Sequence, residues 1–208
     1  MAGLPVEKKQ RFTWNDYRSW DDGKRWEIVG GETFALTPSP ASRHQSVVTT
    51  LARELAAFFK GKTCRVFVAP MDVKLSDEDI VQPDLLVVCN PSQIRPTHIE
   101  GPPALAIEIL SAHTYRHDRV RKLMLYARFG IKEYWIVNPY PSVSEIYILD
   151  SGAFRLHTGY EREDTLLSPT FPGLKITLAD VFDFPLEPGE EITMIKEGAP
   201  SYAVSARD

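Results

Sequence analysis

The chain has 208 residues, 43% of them hydrophobic and 25% charged, and its 24 basic and 28 acidic side chains leave a net charge of -4. A chain of this length buries roughly 70% of its unfolded surface and needs no staples, and no run approaches the ~20 apolar residues of a membrane-spanning helix. The acidic balance excludes a surface that coats itself in nucleic acid, so any such role has to come from a local site.

The opening stretch MAGLPVEKKQRF lacks an apolar signal core, and Cys64 and Cys89 make neither a disulfide framework nor a zinc spacing. The expectation is a cytoplasmic protein whose two thiols pack as small core residues. Residues 1–12 read as an extension, 13–190 as one domain and 191–208 as a polar tail. Within the domain, RWEIVGGETFALT places two β-prone runs around Gly30-Gly31, the signature of a hairpin. The segment PSPASRHQSVVTTLARELAAFFKG then sets Val47, Leu51, Leu55, Phe58 and Phe59 at helical spacing, with Gly61 as the stop. Strand-like runs follow at 65–75, 84–89 and 105–110. HDRVRKLMLYARFG predicts a second helix, EYWIVNP a buried strand, and SEIYILD with AFRLHTGY a hairpin about Ser151-Gly152. From Leu174 to Phe182 one strand and a short helix are expected. This order predicts an α/β fold around one mixed central β-sheet flanked by helices.

Two carboxylates stand out. Asp84 follows a proline at the mouth of an apolar run, and Glu108 lies 24 residues later (108 minus 84) inside ALAIEIL. Alternation along a strand puts Glu108 on one side with Ala106 and Leu110, and Ile107 and Ile109 on the other, so the acid is buried. A buried carboxylate needs a hydrogen-bonded, cationic or metallic partner. The second helix offers one. At 100° per residue Val120, Leu123, Met124 and Ala127 form an apolar stripe, while Asp118, Lys122, Leu125 and Phe129 share another side. Lys122 therefore sits on a face that wants burial, and it is expected to point at Asp84 and Glu108. Two acids and a lysine suit phosphodiester hydrolysis: the acids offer hard oxygens to Mg²⁺ or Mn²⁺, and the lysine stabilises the transition state.

The stretch QPDLLVV, followed by PPALAIEILSAHTYRHDRVRKLMLYARFGIKEYWIVNP, resembles the central signature of the Uma-two family of restriction-endonuclease-like proteins, in the PD-(D/E)XK nuclease superfamily. The likeness extends to RWEIVGGE, SRHQSVV and FPGLKITLADVF, and so covers nearly the whole chain. It implies a restriction-endonuclease-like fold, with the Pro-Asp of the superfamily at Pro83-Asp84 and its second acid at Glu108. Leu110 stands where the superfamily pattern has its lysine; family members carry that lysine on the following helix, at the position of Lys122. The resemblance also places Glu27 near the pocket as a further acid and His44 at the start of the long helix, where packing or substrate contact is its role. Asp118 is expected to orient Lys122 or the helix start.

The function that follows is a Mg²⁺-dependent endonuclease acting on DNA, with Asp84 and Glu108 holding the metal and Glu27 and Lys122 completing the catalytic set. Arg116, Arg119 and Arg121 are candidate phosphate contacts. The alternative is a non-catalytic binding or oligomeric scaffold on the same fold. Glycoside hydrolysis needs two acids about 5 to 10 Å apart across a sugar cleft, and a neighbouring lysine suits phosphate better. The apolar run EYWIVNPYPSVSEIYIL predicts a homodimer, through more hydrophobic surface than one strand pair consumes.

Overall fold

The computed structural model describes residues 10–36, 41–111 and 117–184. A one-turn helix α1 (Trp14–Tyr17) precedes the hairpin of β1 (Trp26–Val29) and β2 (Glu32–Ala35), and the long helix α2 (Ser42–Phe59) follows. The strand block is β3 (Arg65–Val68), β4 (Val73–Ser76), β5 (Asp79–Val81), β6 (Leu85–Val88), β7 (Ile99–Glu100) and β8 (Leu105–Ile109). A π-helical turn, His117–Lys122, runs into α3 (Leu123–Arg128). The chain continues through β9 (Glu133–Asn138), β10 (Val143–Asp150), β11 (Ala153–Tyr160), β12 (Thr165–Leu167) and β13 (Lys175–Thr177) to α4 (Leu178–Val181).

Six strands make the central sheet, in the order β11-β10-β9-β8-β6-β3. It is mixed, because β8 and β9 run parallel while the other neighbours are antiparallel. Alternation along β6 and β8 splits the core in two. Leu85, Val87, Leu105, Ile107 and Ile109 face α2, whose Val47, Leu51, Leu55 and Phe59 recur every fourth residue as a buried stripe. Leu86, Val88, Ala106 and Leu110 face the opposite way, toward α3 and a second sheet. That second sheet, β2-β1-β5-β4-β7, was not foreseen: the single apolar run expected over 65–75 breaks in two, its second half becomes β4, and β4 pairs with β5, which in turn pairs with β1 of the N-terminal hairpin. Gly30 and Gly31 both take positive φ in the two-residue turn of that hairpin, as its strand twist requires.

The Lys122 face of the second helix is buried as expected, but the stripe of Val120 and Met124 is not. Val120 and Met124 face solvent, 49% and 68% exposed, while Asp118, Lys122, Leu125 and Tyr126 are buried. The face that carries the charged pair is the inner one, because those charges have partners inside. Among the described residues no helix is long and apolar enough to cross a membrane. The aromatic run 133–149 is spent within the fold: it supplies β9, buried from Glu133 to Val137, and its neighbour β10.

Cys64 and Cys89 are joined as a disulfide rather than packed as free thiols. The register explains it. Arg65 pairs with Val88 in the antiparallel β3–β6 ladder, so the next pair outward is Cys64 with Cys89. Opposed residues in such a ladder bring their Cβ atoms within about 5 Å, inside reach of a disulfide bond after slight adjustment. The bridge closes a loop with a sequence separation of 25, and loop-closure entropy for that length is worth about 3.5 kcal/mol. Reduction with dithiothreitol is expected to lower the melting temperature by several degrees, and Cys64→Ser to reproduce that loss without further effect of the reductant. A Cys64→Ser protein still sensitive to dithiothreitol contradicts the pairing.

Candidate functional site

The β6–β8 register fixes the two acids. Leu85 pairs with Ile107 and Leu86 with Ala106, so continuing the ladder by one residue sets Asp84 directly opposite Glu108. Both lie on the face turned toward α3. The Asp84 carboxylate anchors itself to the neighbouring strand, where its Oδ2 accepts the Ile109 N–H at 2.8 Å. The same oxygen meets His44 Nε2 at 3.2 Å, the side chain arriving from the first turn of α2. Asp84 keeps 21% of its side chain exposed, whereas Glu108 is almost wholly buried.

Lys122 arrives from above. Its Nζ lies 2.9 Å from Glu108 Oε1, 2.9 Å from Glu27 Oε1 and 3.4 Å from Asp118 Oδ1. The π-helical turn brings His117, Asp118 and Lys122 to the same interior, and π-turns recur at functional sites. Tyr134 donates to the Asp118 carbonyl at 3.1 Å, which pins that turn to β9. Tyr126 donates its hydroxyl to Glu108 Oε1 at 2.7 Å.

Glu27 belongs to the second sheet and is fully buried. On β1 it shares a face with Phe34, its cross-strand partner. Its Oε1 also accepts the Gln82 N–H at 2.8 Å, and its Oε2 meets His117 Nε2 at 2.9 Å. Phe34 stacks on the His117 ring with centroids 4.7 Å apart, and Arg121 lies over Phe34. The cluster therefore joins the two sheets, the long helix and the helical segment at one point.

Three carboxylates, Glu27, Glu108 and Asp118, contact the Lys122 ammonium, and Asp84 stands beside them with His44 rather than at the lysine; with all four acids ionised the formal side-chain charge is -4 plus 1, or -3, before either histidine takes a proton. Burial pushes the Glu108 carboxyl well above its ordinary value; Lys122 opposes that shift, and Asp118, Asp84 and Glu27 reinforce it. Burial also works against ionised Glu27, but Lys122, His117 and the Gln82 N–H together outweigh it and hold the group at about 2. Lys122 is driven down by burial and up by Glu108, Glu27 and Asp118, and the acids win, so it stays charged well above the usual lysine range. The Tyr126 hydroxyl is pushed far up by burial and by Glu108, and so remains a donor.

The six candidate acid, lysine and histidine residues from the sequence, Glu27, His44, Asp84, Glu108, Asp118 and Lys122, are thus near this point, with one division. Glu27, Glu108, Asp118 and Lys122 touch directly; Asp84 and His44 form a more exposed pair beside them. His117, Tyr126 and Gln82 were missed. His117 is five residues before Lys122, a step that brings both to one side only in a π-helical turn, and the Gln82 contact is a backbone bond that no pattern of side chains announces. Among the candidate phosphate contacts, Arg119 is paired with Glu145 at 2.8 Å and Arg121 is held against Phe34. Arg116 lies outside the described residues.

No three His, Cys, Asp or Glu side chains converge as a ready metal cage among the described residues. The donor set still fits a hard cation. Magnesium is usually held by one or two carboxylates together with water and substrate phosphate, and the surplus negative charge beside Glu108 favours a cation over a further acid.

Comparison with known proteins agrees with this architecture. A Synechocystis protein described as "Uncharacterized protein slr1290" is 24% identical over 171 residues, covering 80% of this chain and 89% of that protein. A crystal structure described as "a putative nuclease belonging to DUF820", from Anabaena variabilis, superposes with a TM-score of 0.67 at 16% identity. The match covers 82% of this chain and 97% of the other, which establishes a shared, restriction-endonuclease-like fold. Residues 14–179, which hold the acids, the helix lysine and both sheets, match the Uma2 family model, described as "Putative restriction endonuclease", and the chain belongs to that family.

Proposed function

We propose that the protein is a metal-dependent endonuclease that hydrolyses DNA phosphodiester bonds at the Asp84–Glu108 pair. The observation that carries this reading is the delivery of Lys122 from the helix onto Glu108 at 2.9 Å, with Asp84 opposite on the neighbouring strand. Family membership and fold support a nuclease. Asp84 and Glu108 are the residues that would hold Mg²⁺, or Mn²⁺ in its place. A divalent ion there would neutralise charge on the scissile phosphate and make water a better nucleophile.

The chain's own groups have distinct parts. Asp84 is the exposed acid, and its Ile109 N–H bond and His44 contact fix its direction toward solvent. Glu108 is the buried acid, oriented by Tyr126 and Lys122 through one oxygen. Lys122 supplies permanent positive charge where anionic charge grows on the phosphate. Glu27 and Asp118 hold that ammonium in place, and Glu27 is in turn oriented by His117 and Gln82.

The test is supercoiled-plasmid cleavage in Mg²⁺, in Mn²⁺ and in EDTA. Nicking is expected with either metal and none with EDTA. Asp84→Asn is the matched control, because it keeps an acceptor for Ile109 while removing the charge. It is expected to abolish nicking and the thermal stabilisation conferred by the metal. Parent-rate cleavage by that variant assigns the activity elsewhere.

A further inference from the structure

A second site lies on the other face of the smaller sheet, and the proposed chemistry makes no use of it. Along β1, Glu27 and Trp26 alternate, so one points into the acid cluster and the other away from it. On the Trp26 side, Trp14, Tyr17, Trp20 and Trp26 line a cavity of about 280 Å³. Three of the chain's four tryptophans meet there. Their rings stand at angles to one another: Trp20 lies edge-on to Tyr17 at 5.6 Å and to Trp26 at 6.0 Å, so the walls meet in a corner, with Trp20 and Trp26 half-buried and the Lys24 ammonium 5.9 Å from the Trp26 ring.

The polar groups are arranged for a charged, ring-bearing molecule. Arg18 and Lys24 are exposed at the rim. Asp72 stands within the lining, and the Tyr17 hydroxyl and the Gln82 amide both donate to its Oδ1 at 2.8 Å. Among the described residues no hydrogen bond falls on Oδ2, which leaves it as an acceptor for a bound molecule. Arg25 fixes the Gln82 amide by donating to its Oε1 at 2.8 Å. The pocket is thus preorganised, with aromatic faces, one acceptor and two cations.

We propose that this cavity binds a nucleotide: the base stacks on the indoles, an exocyclic N–H of the base donates to Asp72, and Arg18 and Lys24 meet the phosphate. Stacking on aromatic side chains is how proteins hold unpaired bases without reading sequence. The volume falls just below the ~300 to 1,000 Å³ usual for ligand sites, so it suits one base rather than a chain of sugars. The base has two sources, a free nucleotide or an unpaired residue of a nucleic-acid strand. Gln82 links this site to the acids, since its amide holds Asp72 while its backbone N–H holds Glu27. The inference does not rest on the nuclease reading, because binding here needs neither metal nor cleavage.

The experiment is intrinsic-tryptophan fluorescence of the full chain in EDTA, titrated with dAMP, with deoxyadenosine, with a single-stranded 12-mer, with a blunt duplex and with maltotriose. Saturable quenching by dAMP, or by the single strand in preference to the duplex, is expected; dAMP alone identifies a free-nucleotide site and the 12-mer alone a strand site. Trp20→Ala should weaken binding about tenfold, the scale of one lost base stack, and Trp20→Phe should restore most of it. Arg18→Ala, at an exposed position, should weaken dAMP without affecting deoxyadenosine. Quenching by maltotriose alone, by none of these, or equally in parent and Trp20→Ala overturns the proposal. Plasmid cleavage without nucleotide binding removes this pocket and keeps the nuclease; binding without cleavage does the reverse.

Discussion

Lys122→Ala is expected to lower the melting temperature by about 10 °C at pH 8, measured by circular dichroism. The ammonium is nearly fully buried and contacts Glu27, Glu108 and Asp118, so alanine leaves three carboxylates without their cation. Breaking a buried pair by deleting one partner costs about 3 to 5 kcal/mol, and for a domain of this size each kcal/mol is about 2 to 4 °C. The acids respond by taking up protons. Without Lys122 their folded-state values rise, and a carboxyl with a raised folded value contributes its stability at low pH and loses it as pH rises. The deficit should therefore be smaller at pH 5 than at pH 8. A variant within about 2 °C of the parent at pH 8 would show that the ammonium is not sequestered by these acids. One consequence concerns catalysis: the sequence alone suggests that this variant is silent but folded, and the three-acid cage makes silence by itself uninformative.

What could be read from the sequence follows from how local each signal is. Gly30-Gly31, the fourfold spacing of Val47, Leu51 and Leu55, and the alternation around Glu108 are properties of single elements, and each element forms as expected. The pairing of Asp84 with Glu108 needed a register, yet both acids announced themselves by interrupting apolar runs. The helix after β8 misled on its outer face. Val120 and Met124 look like a core stripe when hydrophobicity alone is weighed, but a buried charge network outweighs two apolar side chains in deciding which face turns inward. The second sheet was invisible because its strands are three to four residues long or shorter, with β4 and β5 joined by a tight turn and β7 only two residues, and because its long-range pairing of β1 with β5 leaves no periodic trace. The disulfide was missed for a related reason: spacing in sequence says nothing of Cys64 and Cys89 until the β3–β6 register sets them opposite each other.

Glu108→Gln separates chemistry from folding where Lys122→Ala cannot. The amide keeps an oxygen to accept from Tyr126 and Lys122, so both contacts at Oε1 survive while the charge is lost. Plasmid nicking in Mg²⁺ is expected to fall at least about a hundredfold, the scale seen when one charge-stabilising group is removed from an active site. Stability should move the other way with pH. Burial raises the Glu108 value above its ordinary 4.5, and the neighbouring acids add to the shift against the opposing effect of Lys122. The folded parent therefore holds this proton more tightly than the unfolded chain, and stability present below pH 4.5 drains away as pH rises. Glutamine removes that drain, so without metal the variant should gain on the parent in melting temperature between pH 5 and pH 8. Added Mg²⁺ should restore the parent at pH 8, because a cation favours ionised Glu108, and leave the variant nearly unchanged. Equal nicking by both proteins would move the reaction away from this pocket. A metal-insensitive parent that also fails to nick would make the cluster an ionic joint between two sheets, the non-catalytic scaffold, with Lys122 as its tie.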